Sequence, residues 1–349
     1  MKPLKININN CRYKAMIGVG GIGSGRFFLL DGDFTLGREE SRGGRFLDTR
    51  DYCKLHIISH YVKVLLGKDF KVIPVGKIGD DDIGRTLYDE MRDVGMDLSF
   101  VKYDKDSPTL FSFCFVYPDG SGGNMTTNDS ACSKIDAGYV KKALPEFERY
   151  AHAGIVLAAP EAPMPAREML LELGAQHHFF RVASFTSEEM SYVMQSGLFL
   201  NIDLLAINID EAAAAVDMTI EDNDPLTVIK AVTKTFSEIN PRLSISITNG
   251  SRGSWTWDGR TLNHVPALKT DVKSTAGAGD AFLAGLVAGL TGGLSLQDAQ
   301  HLANLTAGVS VQSPHTINWE LDKNSLVKLA EFSDGNIKKN VIRLLEDEL

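Results

Sequence analysis

The chain has 349 residues, of which 44% are hydrophobic and 23% are charged, a composition typical of a globular protein with a substantial core. Its 36 Lys and Arg residues against 45 Asp and Glu residues give a net charge of -9, which argues against binding to nucleic acid or to an anionic membrane surface. The four cysteines lack the paired spacing of a zinc site or a disulfide framework, and the first ten residues do not resemble a signal peptide. These features predict a cytoplasmic protein with reduced thiols.

Short apolar runs alternate with amphipathic segments along most of the chain. We expect the apolar runs to form buried strands at 15–19, 71–75, 154–158, 204–208 and 243–248. The segments between them carry apolar residues near helical spacing, at 82–94, 165–173, 210–216 and 225–239. This alternation predicts a single α/β domain over residues 1–349, with a doubly wound, mainly parallel sheet covered by helices on both faces.

Two stretches interrupt this alternation. Residues about 28–48 and 99–125 alternate between polar and apolar side chains and contain turn-forming residues, a pattern typical of antiparallel strands. We therefore expect a small accessory β-sheet beside the main one.

A loop of small residues, 274–280, stands directly before an apolar helical run. Gly277, Ala278 and Gly279 leave room for backbone N–H groups to converge on an anion, and the start of a helix adds partial positive charge there. Asp280 can cap this helix, or it can accept a proton from an attacking hydroxyl group. The loop alone does not decide between these two roles.

Five segments in order resemble the motifs of the ribokinase-like (PfkB) carbohydrate kinase family. They match its G-x-D-x-x-G segment, lid strand, N-x-x-E motif, T-x-G-x-x-G turn and final G-A-G-D loop, at 75–84, 107–109, 208–211, 248–253 and 274–280. The resemblance implies transfer of a phosphoryl group from ATP to a hydroxyl group of a sugar or sugar-like molecule. It also implies that the small sheet is a lid over the substrate, through which a homodimer can form.

The resemblance assigns roles to individual residues of the catalytic loop and of the metal site. It implies that Asp280 is the general base and that 277–279 form an anion hole. Asn208 and Glu211 would hold a hydrated magnesium ion, which prefers oxygen ligands and usually keeps several waters. A strand-end turn followed by an acid at a helix start is the alternative for this pair.

The nucleotide site is implied by a second group of residues. Thr248, Gly250 and Gly253 would line the phosphates and the ribose, since glycines permit close backbone approach, although a simple β-turn has the same pattern. Asn304 falls where the family contacts adenine, and a helical surface amide is the alternative. ATP and Mg²⁺ are therefore the predicted cofactors.

The chain departs from the family pattern on the substrate side. Segment 20–25 at the end of the first strand lacks an acidic residue, segment 51–60 lacks the usual Gly-Gly and Asn, and the glycines at 43–44 lie about ten residues away. Glu161 is the remaining polar candidate for substrate binding, with a surface loop glutamate as the alternative. Ser274 replaces the aspartate that typically opens the phosphate loop, which puts a monovalent-cation requirement in doubt.

Two motifs point to other functions. Segment 18–23 matches the G-x-G-x-x-G of dinucleotide-binding proteins, but neither the helix nor the acidic residue that should follow is predicted. His56 and His60 have the spacing of a helical metal pair without a third ligand, so a packed or exposed helix face is favoured. A nucleoside kinase of the same fold and a non-catalytic nucleotide- or effector-binding protein are the functional alternatives.

Overall fold

The computed structural model of the protein describes residues 1–32, 37–118, 122–220, 224–332 and 337–346. Within these ranges, thirteen strands form a nine-stranded sheet and a separate four-stranded sheet. The strands of the larger sheet are β1 (Ala15–Val19), β4 (Lys71–Gly79), β5 (Val101–Asp104), β8 (Gly154–Ala158), β9 (Phe180–Ala183), β10 (Leu204–Asn208), β11 (Ser244–Thr248), β12 (Ser254–Trp257) and β13 (Leu262–Val265). The strands of the smaller sheet are β2 (Gly23–Leu30), β3 (Gly44–Tyr52), β6 (Leu110–Val116) and β7 (Gly122–Thr126).

Helices of the described ranges follow most strands of the larger sheet. They are α1 (Lys54–Leu66), α2 (Asp82–Val94), α3 (Ala137–Val140), α4 (Leu144–Arg149), α5 (Met164–Gln176), α6 (Ser187–Ser196), α7 (Ile209–Ala214), α8 (Pro225–Ile239), α9 (Ala278–Thr291), α10 (Leu296–Ser310), α11 (Lys323–Glu331) and α12 (Lys339–Leu345). None of these helices is both long and apolar enough to cross a bilayer.

The larger sheet is doubly wound, as predicted. Its order is β13-β12-β11-β10-β9-β8-β1-β4-β5, and the strands from β11 to β5 run parallel. The strand order reverses between β8 and β1, so the carboxyl ends of these two strands open a crevice of the kind in which such sheets bind ligands. Both strands are buried at all five positions, because helices cover both faces.

Local sequence patterns located five strands of the larger sheet and four of the helices. The predicted helices at 82–94 and 225–239 coincide with α2 and α8. The antiparallel strands β12 and β13 at one edge were not predicted, because each is only four residues long and too short for a clear periodic pattern.

The smaller sheet has the order β3-β2-β6-β7 and contains the parallel pair β2–β6 between two antiparallel pairs. Its strands differ in extent from the predicted lid ranges of about 28–48 and 99–125. It begins earlier, at Gly23, and β5 pairs with β4 at the edge of the larger sheet. Residues 33–36 and 119–121 of the predicted ranges lie outside the described residues.

The glycine-rich segment 18–23 runs from β1 directly into β2. A dinucleotide fingerprint requires a helix at this point, so the segment is not one. His56 and His60 lie fully buried on α1, where Tyr52 and Trp319 contact their rings. Their ring nitrogens have no hydrogen-bond partner among the described residues, so the pair is part of the packed interior.

Candidate active site

Two cavities open at the carboxyl edge of the larger sheet. The larger one, of about 810 Å³, lies beyond β10 and β11 and reaches the start of α9. The smaller one, of about 300 Å³, lies between the two sheets. Both cavities are lined by Lys54, Gly277 and Asp280, so the cavities meet at these three residues.

The start of α9 forms the boundary between the cavities. Gly277 is the N-cap residue and has a φ of 77°, a left-handed conformation that favours glycine. A Cβ at this position would lie 2.7 Å from the carbonyl oxygen of Thr316, so a side chain would also collide. The first turn of a helix leaves its N–H groups without intrahelical acceptors, and the Ala278 N–H already donates to Thr275 O at 3.1 Å. The Ala281 N–H makes the first intrahelical bond, to Gly277 O at 2.9 Å, so the N–H groups of Gly279 and Asp280 are the ones in this turn that could bind an anion.

Asp280 lies in the first turn of α9 and lines both cavities. Burial raises the pKa of its carboxyl group to about 6, the Lys54 ammonium group partly opposes this shift, and Asp51 adds to it. A carboxyl group with a raised pKa that lines two cavities is typical of functional acids and bases.

Lys54, which the sequence interpretation missed, is the cation that lines both cavities of this site. Its Nζ lies 3.9 Å from Glu211 Oε1. Burial lowers the pKa of Lys54, but the negative charges of Asp280, Glu211 and Glu161 outweigh burial and raise it overall. One feature of the sequence could have indicated a functional role for this residue. Lys54 is the first residue of α1, where the helix dipole disfavours a cation.

Asn208 and Glu211 are brought together at the start of α7 in a reciprocal capping box. Asn208 Oδ1 accepts from the Glu211 backbone N–H, and Glu211 Oε2 accepts from the Asn208 backbone N–H, each at 2.8 Å. Both residues line the larger cavity, so the cap and a ligand-binding role are compatible. Burial raises the pKa of Glu211, and Lys54 and the Asn208 N–H partly oppose this.

This donor set fits a hydrated magnesium ion. Glu211 Oε1 takes no part in the capping box, and Asn208 Oδ1 keeps a second lone pair. No group of three or more His, Cys, Asp or Glu side chains in the described ranges could hold a metal. A magnesium ion here would therefore be bound by one or two protein oxygens together with water and phosphate oxygens, which is its usual mode.

The turn after β11 borders the larger cavity. Thr248 ends the strand, and Gly250 and Gly253 have φ values of 47° and 89°. A Cβ at Gly253 would lie 2.2 Å from Val265 O, so this position requires glycine. Thr248 Oγ1 faces Gly279 and lies 4.0 Å from the position that a Cβ on Gly279 would occupy. The predicted turn and the predicted anion loop thus lie opposite each other.

Asn304 lies on α10 at the far wall of the same cavity and is buried. Its Nδ2 donates to Pro266 O at 2.6 Å, which ties the segment after β13 to the helix. Apolar side chains that suit a flat ring line the same cavity, and we call them the apolar slot: Leu268, Val272, Leu283, Ala307 and Val311.

The smaller cavity contains Glu161, the predicted substrate residue. Its Oε2 accepts from the Lys54 backbone N–H at 2.9 Å. Burial raises the pKa of its carboxyl group to about 7, which Lys54 opposes and Asp280 reinforces. Glu161 has a φ of 70°, a conformation that costs a non-glycine residue about 1–3 kcal/mol and is concentrated at functional sites.

Asp51 is a second carboxyl group of the smaller cavity that the sequence interpretation did not select. It is the second-last residue of β3 and is only 8% exposed, and burial raises its pKa. The segment 51–60 thus contributes an acid instead of the expected Gly-Gly and Asn. The glycines at 43–44 do not line this cavity, and Gly44 starts β3 in the smaller sheet.

Comparison with known proteins identifies the family of the chain. The pattern of the family described as "pfkB family carbohydrate kinase" matches residues 60–324. The ribokinase of Lactococcus lactis subsp. lactis is 24% identical over 266 residues, which cover 72% of this chain and 83% of that protein.

Solved structures show the same fold. The Arabidopsis thaliana ribokinase complexed with ribose and ATP has a TM-score of 0.71 and 19% identity, covering 92% of this chain and 100% of that one. A Burkholderia thailandensis nucleoside kinase in complex with inosine has a TM-score of 0.70 and 18% identity, covering 93% and 99%. With the match over 60–324, these findings establish that the chain belongs to the pfkB family of carbohydrate kinases.

Proposed function

We propose that this chain transfers the γ-phosphoryl group of ATP to a hydroxyl group of a sugar or a nucleoside. The observation that carries the proposal is that Gly277 and Asp280 line both cavities. A nucleotide in the larger cavity and an acceptor in the smaller one would meet at the start of α9. Phosphoryl transfer needs this alignment of donor and acceptor and little covalent chemistry from the protein.

Asp280 is the general base of the proposed reaction. Its carboxylate would accept the proton of the acceptor hydroxyl while the hydroxyl oxygen attacks the γ-phosphorus. A pKa raised to about 6 makes the carboxylate a better proton acceptor than an ordinary aspartate and still leaves it mostly ionised at neutral pH.

The backbone of 277–279 and the Lys54 ammonium group balance the charge of the transferred group. The N–H groups at the start of α9 point at an anion without any need to reorganise, and the helix dipole has the favourable sign. Lys54 lies at the junction of the cavities and adds a full positive charge.

The larger cavity would hold ATP with magnesium. Thr248, Gly250 and Gly253 line the region for the phosphates and ribose, and the apolar slot beside Asn304 suits adenine. Asn208 and Glu211 would hold the ion, which neutralises phosphate charge when bound.

A nucleoside is a specific alternative to a simple sugar as the acceptor. Phe27 and Phe115 line the smaller cavity, and aromatic side chains can stack on a base. The similar nucleoside kinase in complex with inosine has the same fold.

ADP release from ATP and Mg²⁺, measured across a panel of sugars and nucleosides, tests the proposal. Asp280→Asn should lower turnover by about 10²- to 10⁴-fold while ATP still raises the melting temperature. Asp298→Asn is the matched control, because Asp298 also lies in the first turn of a helix, α10, but lines neither cavity. Near-normal turnover of Asp280→Asn contradicts the proposed base. Stabilisation by ATP without ADP release for any acceptor indicates a binding protein instead.

A further inference from the structure

Three acidic residues and one basic residue line the smaller cavity. Asp51, Glu161 and Asp280 are its carboxyl groups, and Lys54 is its one cation among the described residues. The three acids come from separate parts of the chain, namely the end of β3, the loop after β8 and the first turn of α9. Their convergence is therefore a property of the folded cavity and not of one acidic segment.

Neighbouring carboxyl groups already offset the positive charge of Lys54. Lys54 Nζ lies 3.9 Å from Glu211 Oε1, and the negative charges of Asp280 and Glu161 also act on it. The phosphoryl group of ATP would take up what remains of its positive charge. An anionic substituent on the acceptor would therefore find no unpaired cation among the described residues of this cavity.

The glycine-rich segment after β1 makes room for two of the acids. A Cβ at Gly21 would lie 2.2 Å from Glu161 Oε2, and a Cβ at Gly25 would lie 2.3 Å from Asp51 Oδ2. Neither glycine has a positive φ, so what these positions require is space and not a special backbone conformation. Gly21, within the segment 18–23, thus makes room for the Glu161 carboxyl group, and Gly25, in β2, makes room for that of Asp51.

The Asp51 carboxyl group keeps capacity for a ligand. Cys114 donates to Asp51 Oδ2 through a thiol, a weak donor, at 3.5 Å, and the Tyr52 backbone N–H and the Thr316 hydroxyl group also act on the carboxylate. A carboxylate can accept about four hydrogen bonds. Since Asp51 lines the cavity, its remaining lone pairs can accept from a hydroxyl or amino group there.

Given the proposed function, we propose that the acceptor carries no negatively charged group, and that Asp51 enforces this selection while binding a hydroxyl or amino group of the acceptor. A phosphate or carboxylate substituent would meet the Asp51 carboxylate as a like charge. Glu161, whose pKa burial raises to about 7, offers it no positive charge either. Repulsion between unit charges about 4 Å apart near a protein surface is large enough to lower kcat/KM by about tenfold or more.

Steady-state kinetics on matched acceptors tests the selection. The panel contains D-ribose, D-fructose, D-glucosamine and inosine as uncharged or cationic members, and D-fructose 6-phosphate and D-gluconate as anionic members. We expect the highest kcat/KM for a member of the first group. A higher kcat/KM for an anionic member overturns the inference and leaves the proposed kinase function intact.

Two variants assign the effect to Asp51. Asp51→Asn should raise the ratio of kcat/KM for anionic to uncharged acceptors by about tenfold, because it removes the charge and keeps the shape. Asp48→Asn removes an exposed charge from the same strand and should leave the ratio unchanged. An Asp51→Asn variant that loses activity equally on all acceptors contradicts the role in charge selection.

Cys114 provides a readout that does not depend on turnover, because its thiol lines the cavity beside Asp51. Cationic trimethylammonium-ethyl and anionic sulfonatoethyl methanethiosulfonates each form a mixed disulfide with a thiolate and release methanesulfinate. Peptide mass spectrometry gives their rates at Cys114 and, as an internal reference outside the cavity, at Cys11. We expect the ratio of the cationic to the anionic reagent's rate to be about tenfold higher at Cys114 than at Cys11. Asp51→Asn should reduce this ratio at Cys114.

The outcomes separate the inference from the proposed function. Equal ratios at Cys114 and Cys11 overturn the charge selection, even if ATP is turned over. An Asp51→Asn variant with the same ratio at Cys114 as the original chain also overturns it. A high ratio without turnover of any acceptor supports the acidic cavity and counts only against the proposed kinase reaction.

Discussion

The hydroxyl group of Thr316 accepts a hydrogen bond from the backbone N–H of Tyr52, with 2.9 Å between Oγ1 and N. The Thr316 N–H donates in turn to Arg50 O at 3.2 Å. The Thr316 carbonyl also packs against Gly277, the N-cap residue of α9. A single residue therefore joins β3 of the smaller sheet to the boundary between the two cavities.

Thr316→Val should lower kcat by roughly tenfold, because the valine cannot accept from the Tyr52 N–H and the end of β3 then loses its fixed position relative to α9. Loss of the hydrogen bond should lower the free energy of unfolding by only about 1 kcal/mol. Thr86→Val, on the exposed surface of α2, is the control. Urea unfolding and steady-state kinetics check both expectations, and an unchanged kcat contradicts the coupling.

Asp280→Asn should stabilise the protein at high pH. Burial raises the Asp280 pKa from its ordinary 3.8 to about 6, so the folded state binds this proton more tightly than the unfolded state. Stability from this group is present below about pH 4 and is lost as pH rises through 6. The free energy of unfolding of the Asp280→Asn variant, measured by urea unfolding, should therefore exceed that of the original chain by on the order of 1–3 kcal/mol at pH 8. At pH 4 the two should be equal. An equal gain in unfolding free energy at both pH values would contradict an origin in the ionisation of Asp280.

Glu211→Gln separates capping from metal binding. A glutamine oxygen can still accept from the Asn208 N–H, so the capping box at the start of α7 should survive. The charge that would attract magnesium is lost, and we expect the half-saturating Mg²⁺ concentration for ATP turnover to rise about tenfold. The melting temperature reports the cap. A large fall in melting temperature with an unchanged Mg²⁺ requirement would show that the residue only caps the helix.

The buried histidines of α1 should make folding sensitive to acid. Burial lowers the pKa of His56 and His60 to about 3, and His60 contributes to the shift at His56. Below pH 6.5 the unfolded state binds protons that the folded state refuses, so stability falls by up to about 1.4 kcal/mol per pH unit for each histidine. The His56→Leu/His60→Leu double variant should lose less stability between pH 7.5 and 5. His152→Asn, at an exposed position, should behave like the original chain.

The smaller sheet carries an aromatic surface that suits a second copy of the chain. Phe46 is 52% exposed and packs edge-on against Phe28 at 5.1 Å between ring centroids. We expect a homodimer through this surface, and Phe46→Asp should make the protein monomeric in light scattering. Leu200→Asp, which is equally apolar and exposed but lies before β10, should not. A monomeric unmodified chain contradicts the expected dimer.

The sequence predicted those parts of the site that depend on short-range patterns. The loop with Asp280, the Asn208 and Glu211 pair and the turn after Thr248 each lie within a few residues of a strand end or helix start. Parallel strands bring such ends to one edge of a sheet, so recognising the segments was enough to predict that they meet.

The acceptor side could not be predicted in this way. Asp51 comes from the smaller sheet, Lys54 from the start of α1 and Thr316 from a segment more than 250 residues further along the chain. None of these residues belongs to a periodic pattern. Their proximity depends on how the two sheets pack against each other, which local patterns do not report.

The junction of the two cavities at Lys54, Gly277 and Asp280 also bears on inhibition. A bisubstrate compound that links adenosine to a sugar through a short phosphate chain would extend past the start of α9 and occupy both cavities at once. Joining the two halves removes the entropic cost of binding a second molecule, so its affinity should exceed that of either half by far. The length of the phosphate chain that binds most tightly would then measure, in solution, the separation between the two bound substrates.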